Sequence, residues 1–135
     1  MSELSNQAKE LLNFKPKHEF FVGIDSDGCV FDSMEIKHKE CFCPNTIRVW
    51  GLQPISKYAR EAVEFVNLYS KWRGINRWPA LIKVFELLSE RPEVIRRGAV
   101  IPKGDDIRAF INSGLPLSDA GLKKYMETHS SEELD

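Results

Sequence analysis

Residues 20–33 read FFVGIDSDGCVFDS, and this stretch decides the predicted fold. Its first five residues are aromatic or aliphatic apart from one glycine, and no polar residue alternates with them. Such a run is typical of a strand that is buried on both faces of a parallel sheet. Short polar residues and Gly28 follow at once, which predicts a loop. The stretch therefore predicts an α/β fold in which a loop leaves the carboxyl end of a buried strand, where open sheets bind their ligands.

Two carboxylates, those of Asp25 and Asp27, lie two residues apart in this loop. One carboxylate at such a place can attack phosphorus and form an acyl phosphate. The other can protonate the leaving oxygen and then deprotonate a water molecule, and both are hard oxygen ligands for Mg²⁺. A calcium loop is excluded, because its pattern requires Glu at the twelfth position and, counted from Asp25, that position holds Ile36.

The segment resembles the first motif of the haloacid dehalogenase superfamily, a hydrophobic strand followed by Asp-x-Asp-Gly-x-[Val/Leu]-x-Asp-[Ser/Thr]. The resemblance implies that Asp25 is the nucleophile, and that Asp27 is the acid/base and also offers its backbone carbonyl to Mg²⁺. It further implies backbone contacts to phosphate from Ser26, Gly28 and Cys29, the last in place of the commoner Thr or Val. An acid at the second position is similar to the phosphatase and phosphomutase branches of the superfamily.

The same resemblance implies a Rossmann-like α/β core with a helical cap inserted after the first strand. Residues 1–33 would then hold an N-terminal helix, the first core strand and the nucleophile loop. Residues 34–135 would form the cap, with some core sequence possible only at its end. The expected substrate is a small phosphorylated metabolite, and the expected reaction is hydrolysis or a phosphomutase-like transfer.

Three later elements of the superfamily do not follow in order: a strand-end Ser or Thr, a phosphate-binding Lys and an acidic pair. Gly104-Asp105-Asp106 resembles the acidic pair superficially, but the strand and the lysine before it are missing. A helix cap at Asp105 or Asp106 is the favoured interpretation. We therefore expect this chain to be the N-terminal part of a longer enzyme and to have little or no activity by itself.

A function of another class stays open beside the enzyme. A single buried strand cannot satisfy its own backbone N–H and C=O groups, so it needs neighbouring strands. A non-catalytic helical module would obtain them by pairing its lone strand with a partner or with a swapped copy of itself. A homo-oligomer and a missing C-terminal core segment are thus alternative ways to complete the same sheet.

Most of the chain is predicted to be helical, since apolar residues recur at helical spacing. Pro44 is expected to interrupt the helix that begins near Met34. Residues 99–101 are interpreted as a short strand, and Pro102 ends this strand. The predicted helices cover residues 2–14, 34–43, 56–72, 79–89, 92–98, 105–112 and 118–128.

Polar residues early in the predicted cap, Glu35, Lys37 and His38, are candidates for substrate contacts, because members of the superfamily often place such residues there. Arg73 and Arg77 are two further candidates. They belong to a segment with a local excess of cations, which can draw an anionic substrate. A solvated helix face is the alternative interpretation for these residues.

Trp72 and Trp78 flank the two arginines, and we interpret them as packing at a helix junction. Stacking on nucleic acid bases is the alternative. His38, Cys41 and Cys43 could bind zinc, but a fourth ligand is not evident, so buried cysteines on a helix are favoured.

Composition limits the partners and the compartment. With 19 basic and 20 acidic residues the formal net charge is -1, which argues against a nucleic-acid binder. No apolar run approaches the roughly 20 residues that span a bilayer, so no membrane partner is expected. Three cysteines, an odd count, without a secretory signal favour free thiols in the reducing cytoplasm.

Overall fold

A computed structural model describes residues 6–134, and helices dominate this part of the chain. The structure falls into two compact units, one up to Phe31 and the other from Asp32 onward. The described α-helices are, in chain order, α1 (Asn6–Leu12), α2 (Met34–Ile36), α3 (Cys43–Val49), α4 (Ser56–Glu64), α5 (Arg77–Glu90), α6 (Pro92–Arg96), α7 (Asp105–Ile111) and α8 (Asp119–Met126). Two π-helical segments, Lys37–Phe42 and Phe65–Tyr69, and one 3-10 turn, Gln53–Ile55, link some of them.

The predicted α/β fold is wrong for this part of the chain. Residues 20–24 form no strand, and no sheet occurs among residues 6–134, where the pairing of Asp27 with Phe31 is an isolated bridge. The apolar run is exposed rather than buried, with Phe21 at 93% and Val22 at 79% of full exposure. The physical reason is that a strand needs neighbours for its backbone hydrogen bonds, and no other described segment provides them. The prediction of a mostly helical chain is confirmed.

Among residues 6–31, the described part of the first unit, α1 is the one helix. The predicted helix began at Ser2, and residues 1–5 lie outside the described part of the chain. Its apolar residues Leu11 and Leu12 are largely exposed. A helix of seven residues with these side chains exposed gains little from packing within the described part of this unit.

Pro44 does not interrupt its helix, contrary to the prediction. The chain stays helical from Met34 to Val49, and the π-helical segment just before the proline widens the backbone. In this segment the N–H of Cys43 donates to the carbonyl of His38, five residues back. Such a widened turn relieves the clash that a proline ring would otherwise make with the preceding turn. The guanidinium of Arg60 donates to the carbonyl of Lys39 at 2.9 Å and so satisfies one backbone acceptor of the segment.

The core of the second unit is formed by α3, α4 and α5 and by the segments that connect and follow these helices. Trp50 and Phe85 meet edge to face, with ring centroids 5.1 Å apart. The predicted strand at Ala99–Ile101 is absent, and this segment is irregular. The largest cluster of buried side chains comprises Cys43, Ile47, Leu52, Ile55, Ala59, Ala62, Val63, Val66, Ala80, Val84, Leu88 and Val94.

Side chains cap two of the predicted helices at their N-termini. The Asn76 side chain accepts a hydrogen bond from the N–H of Trp78 at the start of α5, and the Ser118 side chain accepts one from Gly121 in α8. Such caps satisfy backbone donors that have no partner within the helix. Within residues 6–134, no helix is long and apolar enough to cross a membrane.

Candidate functional site

Asp27 lies on a closed turn of residues 26–31 in the first unit, and Asp25 directly precedes this turn. The carbonyl of Ser26 accepts hydrogen bonds from the N–H of Val30 at 3.2 Å and of Phe31 at 2.9 Å. The N–H of Gly28 donates to the carbonyl of Phe31 at 2.8 Å, which closes the turn. Gly28 has φ 72°, a left-handed conformation that residues with a side chain rarely adopt. The turn therefore fixes the backbone around Asp27, and the side chain of Asp25 is joined to its first residue, Ser26.

The backbone of this turn uses some of the N–H groups expected to bind phosphate. The N–H of Ser26 donates to Oδ1 of Asp25 at 2.8 Å, and that of Gly28 is engaged with Phe31. Cys29, the third expected contact, is exposed with a free thiol. In this conformation an anion would have to replace the first two bonds before it met all three N–H groups.

Both aspartates are exposed, and their oxygens are of the donor type that Mg²⁺ prefers. Mg²⁺ sites in proteins are commonly built from one or two carboxylates, completed by water and by substrate phosphate oxygens. The two side chains fit that description, although the described residues contain no group of three or more His, Cys, Asp or Glu that could hold a metal ion.

Glu35, a predicted substrate contact, takes part in a network in the second unit. Its carboxylate forms an ion pair with Lys39 one helical turn later and accepts a hydrogen bond from the Tyr69 hydroxyl at 2.7 Å. These two hydrogen bonds, that of Lys39 first, lower the pKa of Glu35 below its usual value. The same contact with Glu35 raises the pKa of Lys39. The network links the two π-helical segments and holds the Glu35 carboxylate in place.

His38 and Arg77, two more predicted contacts, line the same cleft of about 280 Å³ in the second unit. Arg77 pairs with Asp119 at 2.6 Å, and its guanidinium lies 5.0 Å from the ring centroid of Trp78. Burial, followed by the nearby charge of Lys37, lowers the pKa of His38. Arg73 is not among the lining residues; it lies exposed in the turn that follows Ser70.

Four of the cleft residues that sequence reasoning missed come from α3 and the segment before it. Phe42, Asn45, Thr46 and Val49 follow His38 along one helical run and line the cleft with it. Their spacing of three and four residues is the signal of a shared helix face. Sequence reasoning missed this shared helix face because it expected the helix to end at Pro44, whereas the face continues across the proline.

The two tryptophans lie at helix junctions, as interpreted. Trp72 meets Phe65 edge to face at 6.3 Å. Trp78 meets Phe110 in α7 edge to face at 5.6 Å, and Phe110 in turn contacts Tyr125 in α8. Trp78 also lines the cleft, so it contributes to packing and to the cleft surface together.

Two weaker sequence motifs have structural explanations. Gly104 is the N-cap of α7, and Asp105 and Asp106 occupy its first turn, so neither aspartate is the cap. Asp106 accepts a hydrogen bond from the Ser131 hydroxyl. Of the cysteines near His38, Cys43 is buried as expected, whereas Cys41 is exposed.

Comparison with known proteins returned no family model, no curated protein and no solved structure that matches the chain. The function proposed next therefore depends on residues 20–33, on the turn they form and on general chemistry.

Proposed function

We propose that this chain carries the nucleophile turn of a Mg²⁺-dependent phosphoryl-transfer hydrolase, similar to phosphatases of the haloacid dehalogenase superfamily. The observation that carries the proposal is the closed turn of residues 26–31, which holds the exposed Asp27 two residues after the exposed Asp25. The motif in residues 20–33 supports the same assignment. The substrate would be a small phosphorylated metabolite of the cytoplasm.

In the proposed reaction, Asp25 attacks the substrate phosphorus in line with the leaving oxygen. A bond forms between its carboxylate oxygen and phosphorus while the bond to the leaving oxygen breaks, and Asp27 gives that oxygen its proton. Asp27 then takes a proton from water, which attacks the aspartyl phosphate and releases inorganic phosphate. Both carboxylates end in their starting forms, so atoms and protons balance over one turnover.

Asp25 and Asp27 are the residues that would hold Mg²⁺, which would offset the negative charge of phosphate as the carboxylate approaches. Exposure of the turn leaves room for a phosphate group to reach Asp25. Transition-state charge is stabilised best where water is excluded. We therefore expect the 135-residue chain alone to have little or no activity, and robust turnover by the purified chain would overturn this part of the proposal.

The test measures hydrolysis of p-nitrophenyl phosphate with MgCl₂ by the protein in its natural full-length form. Asp25→Asn should lower kcat by about 10³-fold or more, because it removes the nucleophile. Asp27→Asn should lower kcat by roughly 10²–10⁴-fold, because it removes the acid/base. It should also slow loss of the phosphoenzyme, so that a phosphorylated chain accumulates in the intact mass spectrum.

The matched control is Glu19→Gln, which removes an exposed carboxylate shortly before the motif. Its activity should equal that of the unmodified protein. Full activity of Asp25→Asn would show that the nucleophile is wrongly assigned, and equal losses in all three variants would point to a general effect of charge.

A second candidate function, the non-catalytic interaction module, is favoured by the exposure of the apolar run. Phe20, Phe21, Val22 and Ile24 are all at least 70% exposed. Contiguous exposed apolar surface of this kind often marks a contact with another chain. In this alternative, residues 20–24 pair with a partner or with a swapped copy, and the two aspartates have no catalytic role.

Molar mass in solution separates the two candidates. Light scattering on the 135-residue chain should show a dimer if a second copy covers the run, and Phe21→Ser should then shift the equilibrium toward the monomer. Glu19→Gln serves again as the control. A monomer at all concentrations, combined with Asp25-dependent hydrolysis by the full-length protein, would exclude the self-pairing module.

A further inference from the structure

The cleft of the second unit lies between two helical walls over a common floor. One wall is the helical run that ends in α3, the other is α5, and each of these helices packs mainly against α4. Val63 of α4 and Asn67 of the π-helical segment after it line the cleft between the walls. The cleft therefore has the place that a further helix takes when it completes a helix bundle.

The walls are long enough to accompany two to three turns of a helix. His38 and Val49 line one wall, and their separation along the chain corresponds to about 16 Å at the helical rise of ~1.5 Å per residue. Arg77 and Val84 line the other wall, about 10 Å apart by the same rise. A volume of about 280 Å³ is too small for a helix backbone, but it admits the side chains that one helix face presents.

Large apolar side chains of the cleft are accessible to a partner. Phe42 is 51% exposed and Val49 is 67% exposed, and both line the cleft from the same helix face. Trp78 and Leu81 line the opposite wall and are half-buried. Exposed apolar surface in a concavity marks contacts with other proteins, and tryptophan is enriched among the residues that dominate such contacts.

The accessible charge at the cleft is positive. Arg77 lines the cleft, and no Asp or Glu is among the described residues that line it. The guanidinium pairs with Asp119 at 2.6 Å, but both side chains are mostly exposed, so a carboxylate of a partner can replace Asp119 at low cost. A second cation, Arg48, donates to Oδ1 of the lining residue Asn45 at 3.1 Å. The rim of the cleft therefore complements an acidic partner.

Two polar atoms of the lining residues take no part in this surface. Nδ1 of His38 and Nε1 of Trp78 are buried, without a hydrogen-bond partner among the described residues. A partner in the cleft cannot reach them, so the polar contacts on offer come from the two arginines and from the exposed Asn45.

We propose that this cleft docks an amphipathic helix of a partner protein, with acidic residues beside its apolar face. The apolar residues of that face, spaced three, four and seven residues apart, enter the cleft between α3 and α5. Asp or Glu residues on the flank of the helix face Arg77 and Arg48. This proposal is independent of the phosphoryl-transfer function and of the exposed apolar run, because none of its residues lies within residues 20–33.

The same observations disfavour other occupants. A basic helix would meet Arg77 and Arg48 with like charge. In a symmetric dimer through this face, the same patch of both copies would come together, and the two cationic rims would repel each other. A nucleic acid strand would gain from the cations, but the apolar walls offer nothing to its phosphates.

The probe is a phage-displayed library of random peptides of about 16 residues, which is between four and five helical turns. The 135-residue chain is the immobilised target, and peptides that also bind its Val49→Glu variant are removed, because this variant places a carboxylate in the cleft. The remaining peptides should carry apolar residues at helical spacing and an excess of Asp and Glu over Lys and Arg.

Fluorescence anisotropy with synthetic copies of the selected peptides measures the contribution of each contact. Val49→Glu should weaken binding at least tenfold, whereas Val100→Glu is the matched control, since Val100 is 89% exposed and lies outside the cleft. Arg77→Gln should weaken binding several-fold and reduce its dependence on salt, because one screened charge contact is lost. Arg73→Gln should leave both quantities unchanged, because Arg73 is exposed outside the cleft.

Each variant is first checked for an unchanged circular dichroism spectrum and thermal midpoint. If Val49→Glu fails to fold, Arg77→Glu takes its place, because Arg77 is exposed. Failure to recover any peptide that distinguishes the chain from the cleft variant would overturn the proposal, and so would recovered peptides that are neutral or basic. A molar mass that rises with concentration in the unmodified chain but not in the cleft variant would also overturn it, because a second copy would then occupy the cleft.

Discussion

Replacing Gly104 with alanine is a sharp test of how the second unit is packed. Gly104 is buried, precedes α7 and has φ 71°. A Cβ atom at this position would lie 2.4 Å from Cδ1 of Ile82 and 3.5 Å from Cδ2 of Phe85. The first distance is far shorter than a van der Waals contact. Since Ile82 and Phe85 are themselves buried, neither side chain can move aside freely.

Two effects add up in the Gly104→Ala variant. A left-handed conformation costs a residue with a side chain about 1–2 kcal/mol. Overpacking of a filled core costs typically about 1–3 kcal/mol. The free energy of unfolding should therefore fall by about 2–5 kcal/mol. That is a large share of the roughly 5–15 kcal/mol that stabilises an ordinary domain.

Gly98→Ala is the matched control. Gly98 has φ 63°, but a Cβ atom there would meet nothing within 4 Å, so this variant loses only the backbone part, about 1–2 kcal/mol. The difference between the two variants isolates the packing against Ile82 and Phe85.

Urea denaturation followed by circular dichroism measures the effect. With a slope of about 1.5 kcal/mol per molar urea, a loss of ~3 kcal/mol lowers the midpoint by ~2 M. The control should lose about half as much. Equal midpoints for the two variants would refute the reasoning, because they would mean that α7 does not approach Ile82 as closely as the structure has it.

Three further predictions concern titration and charge. Tyr69→Phe should raise the pKa of Glu35 toward its usual value, as measured by NMR titration, because one hydrogen bond to the carboxylate is lost. Since the folded pKa of Glu35 is lowered, its contribution to stability is present above the unfolded pKa and is lost as pH falls through the folded pKa. Two of the three thiols should react quickly with a disulfide reagent, whereas Cys43 should react only on unfolding, because burial shields it and raises its pKa. Asp119→Asn should change the melting temperature by no more than about 2 °C at neutral pH, because its ion pair with Arg77 is exposed.

The helices of the second unit were predictable because local signals determine them. Asn76 and Ser118 cap α5 and α8, and the proline at residue 92 begins α6 where a missing N–H has no cost. Each signal acts within one or two turns of the chain. Apolar spacing and the proline at residue 92 therefore gave the correct element type, with bounds that differ by a few residues, whereas the cap at Asn76 was not predicted.

The strand was not predictable in the same way, because a strand depends on contacts with distant segments. Residues 20–24 have the composition of a buried strand, but composition only states what the segment can do when neighbours are present. No described segment pairs with it. The turn that follows is local, and it closes through hydrogen bonds within residues 26–31 even though the strand is absent.

The cleft shows a third limit of sequence reasoning. His38 and Arg77 were chosen for their polar side chains and positions, whereas the walls between them depend on how α3 and α5 each pack against α4. The unpaired atoms of His38 and Trp78 are visible only in three dimensions. Sequence could identify candidate residues for the cleft, but the spatial arrangement determines which of them share a surface.

Residues 20–24 and both aspartates are exposed. Both candidate functions would therefore benefit from a further surface that covers them. Phosphoryl transfer by Asp25 benefits from a site that excludes water, and an interaction module gains affinity from burying apolar surface. Covering Phe20–Ile24 would serve either purpose, since the run ends directly at Asp25. The proposed interaction module would need a cover that only buries the run, whereas the proposed enzyme would also need a cation near the turn to offset the charge of phosphate. The chemistry of whatever covers residues 20–24, rather than the turn alone, therefore decides between an enzyme and a binding module.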